Sequence, residues 1–169
     1  MKPRCLRRFF SRCVLGGLLA ALALGAAAQG DAALRGTSLD GQAFDLARQK
    51  GRVVMVVLWR TDCAVCLNKM PELRANALGW KASAFDLVTV SLDTRREDAL
   101  AYDSTRRLVA ASAGPVVSLW HGDTDVSAAW HKGLRLPITL VIDSKGQIVG
   151  RHEGRVPAEL WNQIADLVP

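Results

Sequence analysis

Cys63 and Cys66 are the residues of this sequence with the clearest capacity for chemistry. They enclose Ala64 and Val65 in a C-x-x-C spacing. A thiolate, not a thiol, attacks a disulfide, so the useful cysteine is one whose anion is stabilised. Cys63 sits between a β-branched run and a helical pattern. That places it at a helix N-terminus, where unpaired backbone N–H groups and the helix dipole favour an anion. Cys66 is then near enough to attack a mixed disulfide on Cys63 and release the product. C-x-x-C alone is ambiguous, because zinc sites use the same spacing; directly after a buried strand in a βαβ pattern it points to thiol-disulfide exchange.

The elements that position this pair follow from periodicity. Val53-Val54-Met55-Val56-Val57-Leu58-Trp59 is a continuous apolar run, as in a strand buried on both faces. Ala64 to Leu78 repeats Leu67, Met70, Leu73 and Leu78 near helical spacing, with Pro71 expected to kink the helix. Phe85 to Leu92 predicts a second buried strand, Arg95 to Ala111 a helix and Val116 to Trp120 a third strand. Asp123 to His131 is expected to be a short helix. Ile138 to Asp143 and Gln147 to His152 read as strands around a Ser144-Lys145-Gly146 turn, and Pro157 to Leu167 as a closing helix. Leu34 to Asp45, with Asp40-Gly41 as its turn, reads as an N-terminal hairpin. Alternating strands and helices with an antiparallel end make an α/β sandwich around a mixed sheet.

The first 28 residues have another character. Lys2, Arg4, Arg7, Arg8 and Arg12 are basic, and no acid precedes Asp31. An apolar run from Val14 ends in Ala26-Ala27-Ala28. This is the pattern of a secretory signal peptide, with cleavage expected after Ala28 and a single domain over residues 29–169. A permanent anchor wants roughly 20 apolar residues, and this run is shorter and broken by Gly16, Gly17 and Gly25. Only if the leader stays uncleaved is the protein expected at a membrane. Arg7-Arg8-Phe9-Phe10 resembles part of a twin-arginine signal.

Removing the five leader bases leaves 17 bases against 16 acids, so the net charge of +6 falls to +1. A nucleic-acid partner built on a basic surface therefore loses its support. Of four cysteines, Cys5 and Cys13 lie in the leader. A pair only three positions apart removes little unfolded-state entropy, so Cys63 and Cys66 read as reactive rather than structural.

Leu136-Pro137-Ile138-Thr139-Leu140-Val141-Ile142-Asp143, with Gly146, adds to this pattern far downstream of the Cys pair. With Val53 to Trp59, Cys63, Cys66, Pro71 and the hairpin, the mature chain resembles the thioredoxin superfamily, and within it the exported TlpA/ResA-like branch. The resemblance implies a thioredoxin-like three-layer sandwich. It implies a cis Pro137 beside the Cys pair, and a Leu136 backbone that pairs with an extended substrate segment. It also implies a thiol-disulfide oxidoreductase of the periplasm that reduces other exported proteins, among them apocytochromes c or copper-site proteins, and is recharged by an upstream dithiol. The electrons travel as dithiol and disulfide, so no bound cofactor is expected.

The departures from that family concern the surroundings of the pair. Asp62 stands where the family usually has Trp, Val65 where it often has Pro, and Lys69 where it often has Glu. Val57 stands where thioredoxins themselves have a buried Asp. Asp62 is expected to raise the Cys63 pKa by repulsion and Lys69 to lower it, with the adjacent Asp62 dominant. Two alternatives stand beside the oxidoreductase reading: a copper-binding or delivery module, and a non-catalytic scaffold. His121, His131 and His152 lie on different elements, so no metal site is expected from them. The five tryptophans read as packing residues, and Arg95-Arg96 and Arg106-Arg107 as a solvated helix face. Tyr102, Asp103 and Ser104 form no visible triad. The Pro-x-x-x-Thr/Ser-x-x-Cys loop of peroxidases is absent before Cys63.

Overall fold

The computed structural model describes residues 32–109, 116–131 and 135–169. The leader, its cleavage site, Cys5 and Cys13 lie outside the described residues. A seven-stranded mixed sheet runs in the order β2-β1-β5-β4-β3-β6-β7. Its strands are β1 Leu34–Ser38, β2 Ala43–Asp45, β3 Val53–Trp59, β4 Phe85–Ser91, β5 Val116–Val126, β6 Ile138–Ile142 and β7 Ile148–Glu153. Three helices, α1 Ala64–Gly79, α2 Arg96–Val109 and α3 Leu160–Leu167, complete it. This is the thioredoxin-like α/β fold expected from the sequence.

β3 has all seven residues buried, which its unbroken apolar sequence requires of a central strand. It lies parallel to β4, and β4 lies parallel to β5. β6 runs antiparallel to β3 on the other side. The carboxyl ends of β3 and β4 therefore meet at one edge beside the middle of β5, with Trp59 opposite Ser91 and Ser91 opposite Trp120. Ile138 opposite Leu58 brings the start of β6 to that same edge. Sites in α/β sheets form at such carboxyl ends.

The alternating side chains of β3 feed two cores. Val53, Met55, Val57 and Trp59 pack with Cys66, Met70, Leu73 and Ala77 of α1 and with Leu160 and Ile164 of α3. Val54, Val56 and Leu58 pack with Leu34, Phe44, Leu46 and Trp130 on the opposite face. Burying a leucine such as Leu73 in this way is worth about 2–5 kcal/mol against an alanine. Pro71 lies inside α1, which continues through it to Gly79.

One expected element is different. Asp123 to His131 does not form a helix. β5 continues to Val126, and only Ala128–Trp130 turn, as a single 3-10 segment. The hairpin strand β1 pairs with this extension, Leu34 opposite Val126, Arg35 opposite Asp125 and Gly36 opposite Thr124. Those ladder bonds satisfy the backbone groups that a helix would otherwise have satisfied, and Thr124 and Val126 suit a strand. Among the described residues, the second face is therefore covered by 3-10 turns, Leu46–Gln49 and Ala128–Trp130, and not by a long helix.

Candidate active site

Cys63 caps α1. Its backbone is extended (φ −94°, ψ 98°), and its Sγ accepts the Cys66 N–H at 3.1 Å. The two cysteines form a disulfide with Cα atoms 5.2 Å apart. They differ in access. Cys66 is 1% exposed and belongs to the core under α1, whereas Cys63 is half-buried and borders it. Val65, between them, is one of the few large apolar side chains left exposed among the described residues.

The Leu136–Pro137 peptide bond is cis. Because Ile138 pairs with Leu58, Pro137 lies at the end of β3 from which the loop to Cys63 departs. Leu136 packs partly buried against both cores. Beneath the Cys pair, Val57 lies opposite Thr89 on β4 and Thr139 on β6. The Thr139 hydroxyl is fully buried with no hydrogen-bond partner among the described residues.

The two charged departures from the family both carry partners. Asp62 is 64% exposed and lies 2.7 Å from Arg60. Lys69 is largely covered and lies 2.6 Å from Glu72. The described residues contain no group of three or more His, Cys, Asp or Glu side chains suited to hold a metal ion.

Sequence reasoning missed Asp93. This carboxylate is 4% exposed just beyond β4. It accepts from the Thr61 amide at 2.9 Å, the Thr61 hydroxyl at 2.8 Å and the Ser91 hydroxyl at 2.6 Å. Its backbone carbonyl accepts from Trp120 Nε1 at 2.7 Å and lies 3.2 Å from His121 Nε2. A buried carboxylate needs such partners. The only signal in the sequence was an acid immediately after an apolar strand, which is also where loops begin.

The paired arginines on α2 were also mixed in kind. Arg107 is fixed by Asp103 at 2.7 Å and Asp40 at 3.5 Å, and this pairing raises its pKa. Asp103 is itself buried, accepting from Ser118 at 2.8 Å with Arg74 at 3.4 Å, so it braces α2 against α1 and β5. Arg106 instead lies over the Tyr102 ring at 5.2 Å, and Tyr102 packs on Trp59 with centroids 4.5 Å apart. Of the tryptophans, Trp59 and Trp130 are buried, while Trp80 and Trp161 pack against the core's Phe85.

Fold and site together define a thiol-disulfide oxidoreductase of the thioredoxin superfamily, carrying its Cys63–Cys66 pair as a disulfide. The chain belongs to the Redoxin family, whose sequence model matches residues 23–167. Solved structures agree on the fold. A thiol:disulfide interchange protein from a Bacteroides species is 26% identical, over 80% of this chain and 86% of that one, with a TM-score of 0.59. A thioredoxin-family thiol:disulfide interchange protein from Chlorobium tepidum is 20% identical over 80% and 93%, with a TM-score of 0.63. The exposed lipoprotein thioredoxin of Streptococcus pneumoniae is 18% identical over 79% and 98%, with a TM-score of 0.58. No curated protein matches the sequence significantly.

Proposed function

We propose that this protein acts outside the cytoplasm, after removal of residues 1–28, as a reductant of disulfides in other exported proteins. Residues 29–169 then form the working thioredoxin-like domain. Cys63 is the attacking thiolate and Cys66 the resolving thiol. The observation that carries this assignment is the asymmetry of the pair. Cys63 is accessible at the N-terminus of α1 and already accepts a backbone N–H, while Cys66 is closed off in the core. A thiolate on Cys63 has that same amide and the helix dipole as its stabilisers.

In the reaction, the Cys63 thiolate attacks one sulfur of a substrate disulfide. The substrate S–S bond breaks, a mixed disulfide forms, and the released substrate thiolate takes a proton. Cys66 then loses its proton and attacks Cys63 Sγ, which frees the second substrate thiol. The substrate gains two electrons and two protons, and the protein is left as the Cys63–Cys66 disulfide. An upstream dithiol restores the reduced form. Leu136 and Pro137, at the edge of the site, are proposed to shape the groove that holds the substrate as an extended strand. Export is supported by the leader's charge pattern, and the neighbour from S. pneumoniae is described as exposed. The electron direction and the substrates, apocytochromes c and copper-site proteins among them, follow the TlpA/ResA resemblance.

The test is trapping. Cys66→Ser accumulates a mixed disulfide through Cys63 in the cell envelope, and Cys63→Ser accumulates little. Equal trapping by both variants would overturn the assigned roles. A midpoint potential near about −270 mV supports a reductant, and one near about −120 mV an oxidant. Mass spectrometry of the envelope protein should find a chain that begins near Gln29.

A further inference from the structure

We infer that the cleft between the start of α1 and one face of α2 is a charge-reading subsite, in which Arg106 receives an acidic side chain of the substrate polypeptide near its reactive cysteine. This inference rests on the proposed function and adds a specificity determinant to it. The cleft encloses about 590 Å³. One wall is Thr61 and Leu67, which bracket the Cys63–Cys66 segment; the other is Asp98, Ala101, Tyr102, Thr105 and Arg106. A polypeptide disulfide-bonded to Cys63 is therefore already beside it.

The α2 wall is a single helix face, since its positions recur at i, i+3, i+4, i+7 and i+8 from Asp98. A face carrying Asp98, Thr105 and Arg106 is ordinarily turned to solvent. Here Tyr102 reaches the core through Trp59, while its flanking charges stay at the opening. Arginine partnering then singles out one residue. Arg95 has Glu97, Arg96 has Asp123 and Arg107 has Asp103 and Asp40. Arg106 alone of these four has no acid among the described residues. Its guanidinium carbon stands 5.2 Å from the centroid of the Tyr102 ring, a cation–π contact that uses none of the N–H donors and leaves them for a carboxylate.

Asp98 sets the direction. It stands eight residues before Arg106 on the same face, about 12 Å along the helix, and also has no ion pair among the described residues. It repels an acid at its end of the cleft and accepts a base there. An extended segment rises about 3.3 Å per residue, so the two ends are about four substrate residues apart. The occupant is thus a stretch of substrate with an acid at the Arg106 end, the other end being neutral or basic.

The experiment uses the reduced protein and cyclic-disulfide peptides that carry Asp, Asn or Lys at one to four positions from the reactive cysteine. The readout is the ratio of second-order reduction rates for the Asp and Lys peptides at 50 mM salt, taken within each protein variant. At the best placement, the wild type should favour Asp by roughly three- to five-fold, the range of a partly exposed ion pair. Arg106→Gln should bring the ratio to one and Arg106→Glu should invert it. High salt should shrink the wild-type ratio. A ratio near one at every placement, or one unchanged in both variants, overturns the subsite. A wild type that fails to reduce even the Asn peptide overturns the exchange reading itself, a result distinct from loss of charge preference.

Discussion

Thr61 gives both its amide and its hydroxyl to one buried carboxylate, that of Asp93, at 2.9 and 2.8 Å. The bond ties the end of β4 to the loop that delivers Cys63 to α1. It spans 32 positions of sequence, so the geometry of the Cys pair depends on a residue that lies outside its motif.

Asp93→Ala leaves the Thr61 amide and two hydroxyls without their acceptor in a closed site. A loss of about 2–4 kcal/mol in the oxidised protein is expected, because buried donors keep their desolvation penalty. Asp93→Asn should lose less, since its amide oxygen still accepts from Thr61. Urea denaturation measures both. The Cys63 alkylation rate of the reduced variants should fall in the same order. An alanine variant as stable as the wild type would show that Asp93 does not brace the loop.

The Asp62 carboxylate is turned to solvent beside Arg60, and this reduces its field at Cys63. Asp62→Asn is expected to lower the Cys63 pKa by less than about half a pH unit, the scale of a screened surface charge. Lys69→Ala should act in the opposite sense. Titration of thiolate absorbance, paired with glutathione equilibration, reads both. A change of a full pH unit for Asp62→Asn would mean that the carboxylate faces the thiol in the reduced protein.

Asp40 has its pKa held below the ordinary 3.8, first by the hydroxyl of Ser38 and then by the charge of Arg107 on α2, against an opposing push from partial burial. A depressed carboxyl pKa adds stability above the unfolded value, and that stability disappears as pH falls through the folded one. Asp40→Asn should therefore be destabilised at pH 7, by at most about 1 kcal/mol because the pair is half exposed. The difference should close below pH 3.8. Thermal melts of both proteins from pH 2 to 7 check this; a constant difference across that range would refute it.

Gly36 pairs with Thr124 where β1 lies antiparallel to β5, at the start of a register irregularity. A Cβ there would lie 2.4 Å from the Asp123 carbonyl oxygen and 2.8 Å from the Thr124 Cα, backbone atoms that cannot swing away. Gly36→Ala should cost about 1–3 kcal/mol, the usual range for overpacking. Amide exchange should quicken in Leu34–Ser38 before it does in β3. Gly79, which has nothing within 4 Å, is the control: Gly79→Ala should not show the β1 effect.

What could be read from the sequence was what neighbouring residues decide together. Val53 to Trp59 is apolar without a break, so it had to be a central strand, and the cysteines that follow it had to open a helix. Pro137 and Ile138 belonged to a recognisable segment, and Asp40-Gly41 marked its hairpin. The strand, the helix start and the hairpin depend on local turn chemistry or on a short period, whereas the role of Pro137 was implied by the resemblance of its segment to a known family. The fate of Asp123 to Val126 did not: its acids and turn residues suit a helix start, and only β1, about 90 residues earlier, supplies the ladder that makes it strand. The same holds for charge. Arg106 and Arg107 are adjacent and chemically identical, yet one is locked to Asp103 and Asp40 and the other faces a cleft. Asp62 is next to Cys63 in the chain but is directed to Arg60, while Asp93, 30 positions beyond Cys63, supports it through Thr61. Pairing of charges and burial of acids are settled by which distant side chains meet, and that meeting exists only once the sheet has closed.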